Sequence, residues 1–211
     1  MRNDTFGPEE FQKCSGVSRE TLGRLEHFVR LLIEWNQRHN LVSRRSLGDV
    51  WHRHVWDSAQ LFLFIPAGAQ SLVDLGSGAG FPGLILAAMC AARSPIHTVL
   101  FEATKKKRDF LELAAEQMGI EVEARATRIE DAPPEIFDVV TARACAPLSR
   151  LLFYAERFQG PRTRNLFLKG QNIGLELTNT HKSWRMNLEL HASRSDPTGV
   201  VLMAEGLQRV G

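Results

Sequence analysis

Along the first third of the chain the apolar positions recur at intervals of three and four. Leu22, Leu25, Phe28, Leu32 and Trp35 line one side of a helix that Ser18 can cap and whose first turn carries Glu20. The polar stretch Asn36-Gln37-Arg38-His39-Asn40 interrupts the pattern. A second helix is predicted from about Asp49 to Phe64, with Val55, Leu61 and Phe62 inward, and Pro66-Ala67-Gly68 closes the region. Trp35 and Trp56 read as core side chains rather than stacking platforms for bases.

From residue 71 the period changes. Short apolar runs predict strands at 71–75, 97–101, 121–127, 137–142 and 166–169. Helical stretches separate them: from Leu84 to about Cys90, then 105–118, 147–158, and beyond Lys169 to about Lys182. A closing strand pair is expected at 185–192 and 200–204. This alternation predicts an α/β, doubly wound sheet over residues 69–211, mostly parallel and covered by helices on both faces. Residues 1–68 form an N-terminal helical extension, packing on that core and offering contacts to a partner.

Composition sets bounds. A chain of 211 residues, 44% hydrophobic, holds one full core with a small appendage. No stretch approaches the roughly 18 apolar residues of a membrane span, and Met1-Arg2-Asn3-Asp4 leads into no apolar signal core. Cys14, Cys90 and Cys145 are far apart, which argues against a disulfide framework or zinc site and for a reducing cytoplasm. His52-x-His54 puts its two rings on different faces of a helix, so no metal is expected. The formal net charge is only +2, but the cations cluster. Arg38, Arg44, Arg45 and Arg53 face only Asp49 within 36–56; Lys105-Lys106-Lys107-Arg108 is the densest run. Such clusters in a small chain point to a polyanionic partner.

The chemistry concentrates in Leu72-Val73-Asp74-Leu75-Gly76-Ser77-Gly78-Ala79-Gly80-Phe81-Pro82-Gly83. A strand that stops at an acid and enters alternating glycines builds a nucleotide-shaped hollow, because bare backbone lets a ligand lie close. Glu102 follows Gly80 by 22 positions, near the spacing of about 20 for an acid that takes ribose hydroxyls. Gly78-x-Gly80-x-x-Gly83 also fits a dinucleotide fingerprint, which stays open as an alternative. Two features favour S-adenosylmethionine. Asp74 suits a cationic sulfonium better than a pyrophosphate, and Pro82 stiffens the turn where a dinucleotide needs free N–H groups.

Several blocks together resemble the bacterial 16S ribosomal RNA guanine-N7 methyltransferase family, also called glucose-inhibited division protein B. They are Trp35-Asn36 with Asn40-Leu41, Arg53-His54-Val55-Trp56-Asp57-Ser58, the glycine loop with its Phe81-Pro82-Gly83 ending, Lys106-Lys107-Arg108 with Phe110-Leu111, Arg128-Ile129-Glu130, Phe137-Asp138 with Arg143-Ala144, and Leu168-Lys169-Gly170. The resemblance covers about residues 20–175 and fades over the last 35. It implies a class I S-adenosylmethionine-dependent methyltransferase with a Rossmann-like sheet, acting in the cytoplasm as a monomer. The implied reaction moves a methyl group to N7 of one guanine near the decoding site of 16S RNA, free or in the 30S subunit.

The loop reading and the resemblance together assign cofactor contacts to Asp74, Gly76, Gly78, Gly80, Phe81, Glu102, Ile129, Glu130 and Arg143. Arg143 is also the candidate catalytic residue. RNA contacts are expected from Arg44, Arg45, Arg53, His54, Lys105, Lys106, Lys107, Arg108 and Lys169. Cys145, between small residues, reads as packing rather than a nucleophile. Two other readings stay beside this one: methyl transfer to another RNA or a small molecule, and a non-catalytic RNA-binding module.

Overall fold

A computed structural model describes residues 6–210. The reading of Met1-Arg2-Asn3-Asp4 therefore lies outside the described residues. Helix α1, Pro8–Ser15, ends on Gly16 in the left-handed region. Helix α2, Arg19–His39, starts as the sequence predicts: the Ser18 hydroxyl accepts from the Thr21 N–H at 3.1 Å. Its apolar stripe buries Leu25, Phe28 and Leu32 completely.

A single turn, α3 (Arg44–Leu47), precedes the region expected to be one regular helix. That expectation is corrected. The path is helical but changes pitch twice: a π turn at Trp51–Trp56, a short α4 at Asp57–Ala59, and a 3₁₀ turn at Gln60–Phe64. His54, Val55 and Trp56 are all buried.

The sheet contains β1 Ser71–Leu75, β2 His97–Phe101, β3 Glu123–Arg125, β4 Val139–Arg143, β5 Arg164–Lys169, β6 Trp184–Ala192 and β7 Val200–Arg209. Its order is β3-β2-β1-β4-β5-β7-β6. The first five strands are parallel; β7 enters antiparallel between β5 and β6. Helices α5 (Gly83–Ala91), α6 (Lys105–Met118), α7 (Leu148–Ala155) and α8 (Ile173–Thr180) make the crossovers. The predicted strand over 121–127 shrinks to the three residues of β3, which pairs only with β2 at the sheet's edge.

Two large cores cover the two faces. One joins α1, α2 and the Trp51–Ala59 segment to α5 and α6, so the N-terminal extension shares apolar packing with the sheet's own helices. The other packs α7 and its 3₁₀ extension against β1, β2, β4, β5 and β7. Because β1 lies between β2 and β4, all of Leu72–Leu75 is buried. The parallel strands aim their carboxyl ends at one rim, where the glycine loop, Glu102 and Arg143 lie.

Candidate active site

The rim is built first by the glycine loop. Gly76, Gly78 and Gly80 have φ of 73°, 57° and 92°, a conformation other residues adopt only with strain. Gly83 is needed for room instead. A Cβ there would stand 2.4 Å from Leu100 Cδ2 and 2.8 Å from Asp74 Oδ2.

Asp74 turns its carboxylate into the protein and lines no hollow at the rim, unlike the expectation for it. Its side chain is fully buried. One oxygen accepts from the Gly83 N–H at 3.2 Å, and the other from the Thr141 hydroxyl at 2.9 Å. It therefore ties β1 to the start of α5 and to β4. Burial pushes its carboxyl up from 3.8 to about 6, against the opposing pull of hydrogen bonds from Ser77, Thr141 and Gly83 and of the Arg143 charge.

Two hollows adjoin beyond the strand ends, of about 400 and 240 Å³. Gly76 and Glu102 line both. The larger is walled by Gly78, Phe81, Lys107, Arg143 and Cys145; the smaller reaches Phe101, Ile129 and Glu130. Glu102 is 9% exposed. Its two oxygens accept from the N–H groups of Gly78 (3.1 Å) and Thr104 (2.8 Å), and Lys107 Nζ stands 3.8 Å away. Gly80 is buried within the loop and lines neither hollow.

Arg143 closes β4 and lies where three hollows meet. Nη1 donates to Asp57 Oδ2 at 3.2 Å and to the Arg53 carbonyl at 3.1 Å; Nη2 meets His54 Nδ1. The guanidinium carbon stands 5.1 Å from the centre of the Phe81 ring. Burial pulls the Arg143 pKa below its ordinary value, against the pull of Asp57, and an arginine so placed still keeps its charge. The next residue, Ala144, has φ 49°, backbone strain held at the rim.

His54 was expected at the RNA surface and is not there. It is buried and stacks on Phe81, ring centres 4.8 Å apart. Burial first, then the charges of Arg143 and Arg53, lower its pKa from 6.5 to about 3. The neutral ring accepts from Arg143 through Nδ1, so its proton is on Nε2, a buried atom with no partner among the described residues.

The remaining cations divide. Arg44, Arg45, Arg53 and Lys106 are exposed. Lys105 pairs with Asp109 at 2.8 Å. Arg108 donates to the carbonyls of Glu102 and Ala103, bracing the end of β2. Lys169 is held by Glu176 at 2.7 Å and by the Ala146 carbonyl at 3.2 Å. Arg108 and Lys169 are thus occupied inside the fold, not free at a surface. Cys145 packs on Gly76, and burial with the nearby carboxylates of Asp74 and Glu102 raises its thiol to about 11. A thiol so protonated is no nucleophile near neutral pH.

Sequence reasoning missed the partners of Arg143. Asp57 entered that reasoning by name only within the Arg53–Ser58 block, and its own partners Gln60 and Ser195 not at all. Their signal is spatial, since Asp57 meets Ser195 across 138 positions. Among the described residues no group of three or more His, Cys, Asp or Glu is placed to hold a metal ion, and no helix is long and apolar enough to cross a membrane.

Comparison with known proteins gives a consistent result. A family model described as GidB, rRNA small subunit methyltransferase G, matches residues 21–195. The ribosomal RNA small subunit methyltransferase G of Rhodospirillum centenum is 46% identical over 198 residues, covering 94% of this chain and 90% of that one. The protein of that name from Paramagnetospirillum magneticum is 46% identical over 204 residues, covering 97% and 98%. Among solved structures, a SAM-dependent methyltransferase from Aquifex aeolicus superposes with a TM-score of 0.56 at 14% identity, covering 75% of this chain and 95% of that one. M. jannaschii TYW2, solved in complex with AdoMet, gives 0.55 at 16% identity, covering 72% and 74%. At such identities these two speak for the fold alone: the class I methyltransferase sheet.

Proposed function

This chain belongs to the rRNA small subunit methyltransferase G family, and on that premise we propose that it moves a methyl group from S-adenosylmethionine to N7 of a guanine near the decoding site of small-subunit ribosomal RNA. The observation that carries the reading is the pair of hollows joined at Gly76 and Glu102 and opening beside Arg143. The same reading takes residues 1–68 as the RNA-facing extension, 69–211 as the transferase, and the cytoplasm as its compartment.

The residues fit the cofactor. Glu102 ends β2 with a carboxylate, an acceptor for both hydroxyls of a ribose. Ile129 gives the smaller hollow an apolar wall for an adenine face, with Glu130 at its edge. Bare backbone at Gly76 leaves space that a Cβ would fill, since that atom would sit 2.9 Å from Cys145 Sγ. Bound there, S-adenosylmethionine supplies a methyl carbon activated by attachment to a positive sulfur.

Guanine N7 has a lone pair in the ring plane and no proton to lose. Its attack forms the N–C bond while the C–S pair withdraws onto sulfur. The chain needs no general base, and alignment is what it must provide. Arg143 is donor-only and can meet guanine O6, the acceptor beside N7, leaving the N7 lone pair free for the methyl group. Its charge would oppose the positive charge passing to the base, and Asp57 offsets it from 3.2 Å. The exposed Arg44, Arg45, Arg53 and Lys106 meet phosphates, which give affinity without selecting a base.

The test incubates the protein and labelled cofactor with unmethylated 30S subunits, naked 16S RNA and small acceptors, and maps the product. One N7-methylguanine in the small-subunit RNA is expected; label on a small acceptor alone defeats the reading. Calorimetry with Glu102→Gln should show cofactor affinity reduced about tenfold or more, as for other lost hydrogen bonds to a charged group.

A further inference from the structure

Arg143 is not free to aim itself. Asp57 holds its Nη1 with one oxygen, Oδ2. The other, Oδ1, accepts from the Ser195 hydroxyl at 2.5 Å and from Gln60 Nε2 at 3.0 Å. Ser195 lies in the turn that joins β6 to β7. That turn is lashed to the helical segment at further points: Gln60 Oε1 accepts from the Arg194 N–H at 2.9 Å, and Trp56 Nε1 donates to the Arg194 carbonyl at 3.1 Å. Hollows of about 400 and 540 Å³ flank Arg143 and Asp57. Ser193 and Gly199 line one, Ser195 and Pro197 the other, and Asp196 reaches both.

We infer that Asp57 is a positioning residue of the transfer: it sets Arg143 and, by gripping Ser195, makes the β6–β7 turn a wall of the site that receives the target nucleotide. The inference rests on the methyl-transfer reading above. The role needs a carboxylate, because one acceptor must face the guanidinium and another a hydroxyl. An asparagine keeps an oxygen for Arg143 and offers its NH₂ to the Ser195 oxygen, so it retains part of the arrangement. Alanine retains none, and Arg143 is left with His54 and a carbonyl. A misplacement of about 1 Å at a reacting centre can lower the rate about 100-fold.

The experiment measures kcat and KM on 30S subunits, cofactor affinity by calorimetry, and hydrogen exchange of the amides at 194–199. Asp57→Ala should lower kcat about 100-fold with cofactor affinity within about threefold. Asp57→Asn should recover about tenfold of that loss. Ser195→Ala should raise KM for the RNA and speed exchange in the turn. If Asp57 were only structural, melting temperature would fall and activity would track the folded fraction, with kcat per folded molecule unchanged; that result overturns the inference. Should Asp57→Ala fail to fold, wild-type kinetics in both Asp57→Asn and Ser195→Ala overturn it equally. A wild type that leaves 30S subunits unmethylated counts against the transfer reading, and exchange in the turn then still decides whether Asp57 grips it.

Discussion

Two buried titratable side chains under the rim work against each other. Asp74 is raised to about 6, so the folded state holds its proton more tightly than the unfolded chain does. Its contribution favours folding at low pH and is lost as pH rises from 3.8 to about 6. His54 is lowered to about 3, so folding resists its protonation. That stability is present above 6.5 and is lost as pH falls toward 3. At about 1.4 kcal/mol per pH unit, the two effects are roughly 3 and 5 kcal/mol, opposite in sign. Relative to the wild type, Asp74→Asn should steepen the loss of stability on acidification between pH 6 and 4. His54→Gln, which still accepts from Arg143, should flatten or reverse it. Denaturant melts of the three proteins across that range check both slopes; parallel curves would count against the burial argument.

Among the elements, α2 supports the site although it contributes no polar group to its hollows. Phe28 is fully buried, 5.3 Å from the Phe81 ring centre and 6.0 Å from that of Phe110. It braces the ring on which His54 stacks. Phe28→Ala should cost about 3–5 kcal/mol of stability and weaken cofactor binding through a loosened Phe81, as read by chemical denaturation and calorimetry. The elements were legible wherever a period was long. The 3.6-residue stripe of α2 and the alternation from β1 to β5 needed no structure. Pitch changes in 51–64 left no such trace, because buried and exposed positions there follow the neighbours of each side chain. β3 was over-long in the reading because an edge strand pairs on one side only. In the site, glycine spacing and the Glu102 interval were readable since backbone geometry fixes them. The direction of a charged side chain was not: Asp74, His54 and Lys169 turn inward, toward Thr141, Arg143 and Glu176.

For the whole molecule, a net charge of +2 hides an uneven surface. Arg44, Arg45, Arg53 and Lys106 are exposed, while Arg108 and Lys169 are engaged internally. If the four exposed cations each meet a phosphate of single-stranded RNA, log affinity should fall against log salt with a slope of about −3. Arg44→Ala and Arg45→Ala should each flatten it by about 0.7, whereas Lys169→Ala should destabilise the fold and leave the slope alone. Binding measured from low to physiological salt decides; a flat wild-type response would remove RNA contact from these clusters.

The grip of Asp57 on Ser195 spans 138 positions. Contacts so distant along the chain form late, after the loops between them have closed. During synthesis β1, β2 and β4 leave the exit tunnel before the final hairpin does, so Arg143 meets Asp57, His54 and the Arg53 carbonyl before Ser195 arrives to fix the second oxygen of Asp57.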